Sequence, residues 1–151
     1  MTPASPPLNA LVELRAAGLR PTRQRLVLAR LLLGNGDRHV TAEQLHAEAA
    51  AAGMPVSVAT VYNALHQFTE AGLLREVVVE PGRSYFDTNT ADHHHFFCGM
   101  NGMLQDIPAQ DILVSGVPLA PPGTEIRRID VIVRVGPERR SAPTPPPPPE
   151  T

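Results

Sequence analysis

What most constrains this chain is a run of helix-start signals, each followed by a stop, before residue 73. Thr22 stands where a hydroxyl can accept from the free backbone N–H groups that open a helix over 23–33, and "GNGD" follows that run. Thr41-x-x-Gln44 has the spacing of a capping box opening a helix that runs through the alanines to Gly53. Ser57 precedes "VATVYNALHQFTEA", which stops at Gly72. Ahead of these, 8–17 places Leu8, Leu11, Val12 and Leu14 on one helical side and stops at Gly18, a good residue to end a helix. Four short helices are predicted.

After Gly72 the period changes. "LLREVVV" is rich in β-branched residues, "EPGR" signals a turn, and "SYFD" reads as the returning strand of a hairpin. Helices followed by a hairpin predict a winged helix-turn-helix over 8–90. Beyond Asp92, "HHHFFC", "MLQDIP" and "RIDVIVRV" predict three strands. Pro118, Pro121 and Pro122 leave room for only a short helical turn between the last two. The fold class is therefore α+β: an amino-terminal winged helix and a small three-stranded α/β dimerisation domain over 91–136. Three thinly covered strands have a face and edges to hide, and a second copy of the chain is the economical cover. The Pro-rich ends, 1–7 and 137–151, are expected to be disordered tails.

The 151 residues suit one large domain or two small ones. All thirteen basic residues are Arg, and the formal charge of −2 excludes a strongly basic nucleic-acid coat. DNA binding must then use a local patch. In the fourth helix Val58, Val61, Leu65 and Phe68 are spaced to face the core. Ala59, Thr60, Asn63, His66 and Gln67 face outward, with Tyr62 between, and such small and amide side chains suit a major groove, which makes Ala59, Thr60, Tyr62, Asn63 and Gln67 the candidates to reach DNA bases. Arg20, Arg23, Arg25 and Arg83 would contact phosphates. No signal-peptide pattern or membrane-length apolar run is present, which points to the cytoplasm and away from a membrane.

The run His93-His94-His95 carries the second chemistry. On a strand alternate side chains share a face, so His93 and His95 offer two ligands to Fe²⁺, Mn²⁺ or Zn²⁺, while His94 points the other way. Asp87, Asp106 and His39 are residues the fold could bring near. Cys98 is the single cysteine, which rules out an intramolecular disulfide, and it reads as a small buried hydrophobe.

"GLRPTRQR", "HVTAEQL", "ATVYNALHQFTEAGLL" and "YFDTNTADHHHFFC", in that order, resemble the ferric uptake regulator family over roughly residues 10–136. The resemblance implies a homodimeric transcriptional regulator binding a double-stranded DNA operator. It also implies a metal site bridging two domains, formed here by His39, Asp87, His93, His95 and Asp106; the family usually has Glu at positions 87 and 106. Many members hold a structural zinc through two Cys-x-x-Cys pairs. This chain has Cys98 and Asn101 at the first pair and no second pair, which excludes a four-thiolate zinc. A second regulatory site is in doubt, because Asp130 stands where a histidine is often found. Asn63 stands where ferric uptake regulators proper often have Arg. These departures are similar to the alphaproteobacterial iron response regulator branch, which implies control of iron and haem genes, with haem bound through His93, His94 and His95. Two other readings compete. One is a peroxide sensor of the same fold, in which Fe²⁺ on His93, His95 and Asp87 promotes oxidation of a ligand histidine. The other is a metalloenzyme, for which the sequence offers no strong candidate for a general base and no substrate-pocket motif.

Overall fold

The computed structural model describes residues 9–34, 36–139 and 146–149. Leu8, the expected amino-terminal tail, and positions 140–145, 150 and 151 of the expected carboxy-terminal tail lie outside the described residues. The chain divides after Asp92 into two compact units.

In the first unit, helices α1 (Ala10–Ala16), α2 (Arg23–Leu33), α3 (Ala42–Ala51) and α4 (Val58–Glu70) alternate with strands β1 (His39–Val40), β2 (Arg75–Glu80) and β3 (Arg83–Asp87). The caps are those the sequence predicts. Thr22 Oγ1 accepts from Arg25 N–H, Ser57 Oγ from Thr60 N–H, and Thr41 and Gln44 form both bonds of the capping box. At the end of α4, Gly72 takes φ 83°, and Gly72 and Leu73 donate back to Thr69 and Phe68 carbonyls at 3.0 and 2.9 Å. These two bonds satisfy carbonyls that the last helical turn leaves open, and the left-handed position strongly favours glycine.

Two details differ from expectation. Asn9 caps α1, and the buried residues are Ala10 and Leu14, whereas Val12 is exposed. A helix this short buries only a narrow stripe, and the cap sets its phase. Val58 is also exposed, because it opens α4 ahead of the turns that meet the core. That core packs Leu14, Leu28, Leu32, Leu45, Val61, Leu65, Phe68 and Phe86, with others, into one cluster. The sheet order is β1-β3-β2, all antiparallel. The hairpin is thus extended by a third, two-residue strand, β1, which is not among the strands the sequence predicts.

The second unit holds β4 (His93–Cys98), β5 (Met103–Pro108), a single 3₁₀ turn at Ala109–Asp111, and β6 (Ile132–Val135). Strand order is β5-β4-β6, with β6 parallel to β4. The expected third strand is shorter than "RIDVIVRV", since pairing starts only where His95 N–H meets the Val131 carbonyl. No helix among the described residues is long and apolar enough to cross a membrane.

Candidate metal centre and nucleic-acid interface

The register of β1 on β3 sets His39 opposite Asp87. Directly opposed residues of an antiparallel pair share a face, and His39 Nε2 lies 3.2 Å from Asp87 Oδ2. The pairing is anchored one step outward. Arg38 N–H donates to Thr88 Oγ1 at 2.9 Å, and Thr88 N–H donates to the Arg38 carbonyl at 3.1 Å. The Arg38 guanidinium forks onto both Glu48 carboxylate oxygens, at 2.8 and 2.7 Å, and also donates to the Leu31 carbonyl. Hydrogen bonding to Glu48 raises the Arg38 pKa against the opposing effect of burial. His39 is therefore placed by α2 and α3 through its neighbour. Asp87 is fully buried, and its Oδ1 accepts from Asn89 N–H at 2.8 Å. One carboxylate oxygen holds a turn while the other faces His39.

In the second unit, β4 and β5 pair so that His95 opposes Asp106 and His93 opposes Pro108. The His93 and His95 rings share a face, with centroids 4.5 Å apart. Both Nε2 atoms lie 3.4 Å from the same oxygen, Asp106 Oδ1. That distance is long for a charge-assisted hydrogen bond, which runs about 2.7–2.9 Å. It equals the roughly 3.4 Å edge of a tetrahedron built on metal–ligand bonds of about 2.0–2.1 Å. Two imidazole nitrogens and a carboxylate oxygen are a donor set suited to Zn²⁺, Fe²⁺ or Mn²⁺. The residues present fit a divalent ion.

His94 points to the opposite face, and its Nδ1 accepts from Val131 N–H at 3.1 Å. A backbone N–H can only donate, so Nδ1 carries the lone pair and a neutral ring keeps its proton on Nε2. Axial ligation of haem iron through Nε2 would need the reverse tautomer. In this arrangement His94 serves the sheet by tying the approach to β6 onto β4. Cys98 is half-buried rather than buried, because it ends β4 on the side that carries Met103 and Val135.

On α4 the predicted inward residues Val61, Leu65 and Phe68 are buried, while Ala59, Asn63, His66 and Gln67 are exposed and Thr60 is half-buried. Arg25 joins α2 to this helix: its Nη2 donates to Gln67 Oε1 at 2.8 Å and its Nη1 to the Arg20 carbonyl at 2.9 Å. Arg20, Arg25, Thr60, Asn63 and Gln67 line one groove. Gln67 Oε1 is thus engaged by Arg25. Tyr62 is half-buried between the two faces, as expected, with its ring against the core; its hydroxyl, expected to reach DNA, donates to Glu43 Oε1 at 3.3 Å. Burial, then Glu43, raises its pKa. Arg23 is exposed at the start of α2, and Arg83 is half-buried at the start of β3.

The structure brings together His39 with Asp87, and His93 and His95 with Asp106, one set in each unit. Sequence reasoning missed Arg75, which is buried in β2 directly opposite Asp87, and Asn89. The available signal was strand alternation, which sets Arg75 on the same face as Val77 and Val79 in "LLREVVV".

A family model described as the ferric uptake regulator family matches residues 16–129. The peroxide-responsive repressor PerR of Staphylococcus aureus (strain Mu50) is 35% identical over 99 residues, which span 65% of this chain and 66% of that protein. This is just under two thirds of the relative's length. Among solved structures, the ferric uptake regulator of Pseudomonas aeruginosa with manganese is 26% identical. It aligns over 87% of this chain and 100% of its own, with a TM-score of 0.66. The Vibrio cholerae ferric uptake regulator shares the fold at 23% identity and a TM-score of 0.66, covering 85% of this chain and 99% of its own.

Proposed function

The chain belongs to the ferric uptake regulator family, and on that premise we propose that it is a homodimeric, DNA-binding transcriptional regulator that responds to a divalent metal. The observation that carries this reading is the convergence of His93 and His95 Nε2 on one Asp106 oxygen, with His39 set against Asp87 in the other unit. In the proposed site one ion draws on all five side chains. Ligation shared between two units ties their arrangement to occupancy, and hence ties the placement of α4 to the metal. On the DNA side Arg20, Arg23, Arg25 and Arg83 contact phosphates, and Ala59, Thr60, Asn63 and Gln67 meet base edges.

The dimer reading is supported by one face of the second sheet, where Phe96, Met103 and Val135 are exposed together. The segment after the 3₁₀ turn also carries Leu113 and Leu119, 92% and 97% exposed. Apolar side chains this bare call for a covering surface.

The PerR likeness favours a second reading, in which peroxide ends repression by oxidising a ligand histidine. Assignment to the iron response regulator branch rests on the missing thiolate pairs, Asp130 and Asn63, and haem as its effector on the three-histidine run. The Val131 bond at His94 supports metal over haem.

The test uses protein purified anaerobically and stripped of metal, with a duplex selected from a random-sequence pool in the presence of Mn²⁺. DNA affinity should rise on adding Mn²⁺ or Fe²⁺ and fall again with chelator. Addition of one oxygen atom to a peptide holding His39, His93 or His95, after peroxide treatment of the Fe²⁺-loaded protein, would select the peroxide reading. A wild-type chain whose DNA binding ignores metal contradicts both.

A further inference from the structure

The segment leaving β3 is held by a continuous set of hydrogen bonds that starts on the ligand Asp87. Asp87 Oδ1 accepts from Asn89 N–H at 2.8 Å, and Asn89 Oδ1 accepts from Ala91 N–H at 3.1 Å. These are two Asx turns in series, each a short side chain closing onto the backbone two residues ahead. The Ala91 carbonyl then accepts from Arg75 Nη1 at 3.1 Å. Arg75 is only 4% exposed and stands opposite Asp87 across β2 and β3. His39 stands opposite Asp87 on the other side. The set of bonds therefore begins and ends on one rung of the first unit's sheet.

This arrangement gives a reason for aspartate at position 87. A glutamate could bring the same carboxylate to an ion, but its extra methylene no longer fits a turn that closes onto Asn89. The two oxygens of Asp87 thus belong to different partners. Oδ2 faces His39, and Oδ1 holds the backbone that leads to His93. A carboxylate engaged at Oδ2 loses its freedom to rotate, which keeps Oδ1 on Asn89. A buried guanidinium is costly unless its donors are used, so the bond to Ala91 gives the far end of this path a firm anchor.

We infer that Asn89 and Arg75 are positioning residues that carry the state of Asp87 into residues 88–92. Metal occupancy is converted into DNA affinity through them, without either residue touching the ion. This rests on the metal-gated reading above and adds the route by which the gate acts.

The experiment uses the full chain, Mn²⁺, and the duplex selected by the wild type. It measures Mn²⁺ affinity without DNA, and DNA affinity with and without Mn²⁺. Asn89→Ala should keep Mn²⁺ affinity within about threefold of wild type while cutting the Mn²⁺-induced gain in DNA affinity by about tenfold, within the usual range of coupling between sites. Asn89→Asp keeps an oxygen for Ala91 N–H and should restore the gain, which a general loss of stability would not allow. Arg75→Gln removes the bond from the other end and should reproduce the loss. An Asn89→Ala chain with the full gain overturns the inference. So does one that no longer binds Mn²⁺, since Asn89 would then act on the ion directly. A wild type with no metal dependence overturns the metal-gated reading and this inference together.

Discussion

Replacing His95 by Ala is expected to weaken Mn²⁺ binding by more than about 100-fold, beyond what loss of an outer-shell partner of a metal ligand costs. His95 is 1% exposed, and its Nε2 shares Asp106 Oδ1 with His93, so its loss removes one of the three donors grouped in the second unit. His93→Ala should behave alike. His94→Ala should separate cleanly from both. Its ring lies on the other face and accepts from Val131 N–H, so its loss leaves a partly buried donor unsatisfied. That costs about 1–3 kcal/mol of stability, with little effect on Mn²⁺ affinity. Metal titration and urea unfolding of the three single variants should therefore rank them in opposite orders. Equal damage to Mn²⁺ binding from His94→Ala and His95→Ala would show that the strand's two faces do not divide the work in this way.

The second large effect is expected on the DNA side. Arg25→Ala should lower specific DNA affinity by about 10- to 100-fold, corresponding to roughly 1–3 kcal/mol. Arg25 supplies charge at the groove between α2 and α4, and it fixes the Gln67 amide. Because the pair acts as one unit, Gln67→Ala should add little once Arg25 is gone, and a double-mutant cycle reads that coupling directly. Asn63→Ala should cost a similar amount on the selected site but not on random DNA. Arg23→Ala should weaken both alike and lower the salt slope by about one. Unchanged binding in the Arg25 and Asn63 variants would mean that another surface reads the DNA.

The parts of this structure legible in the sequence are those fixed by local chemistry. Thr22, Ser57 and the Thr41–Gln44 box announce helix starts because each capping bond spans three residues. The sharing of a face by His93 and His95 follows from strand alternation alone. What stayed hidden depends on partners far along the chain. β1 is two residues long, and it is a strand because the Arg38–Thr88 bonds, 50 residues apart in sequence, extend its pairing. The role of His94 depends on Val131, 37 residues away. The parallel placement of β6 beside β4 also had no local signal, since the segment leading to it contains one 3₁₀ turn and no crossover helix. Arg75 was visible only through alternation, as a charge on the face shared with Val77 and Val79, and its purpose depends on the residue across from it.

The central claim is that metal occupancy and DNA binding form one linked equilibrium in this chain. Linkage requires that if the metal raises DNA affinity by some factor, DNA raises metal affinity by the same factor. The direct measurement is a Mn²⁺ titration of the anaerobic wild-type protein, once alone and once with the selected duplex at saturation. The expected result is a gain in Mn²⁺ affinity of about 5- to 150-fold with DNA present, matching the gain in DNA affinity with Mn²⁺ present and absent from His39→Ala. Equal Mn²⁺ affinity with and without the duplex would contradict the claim.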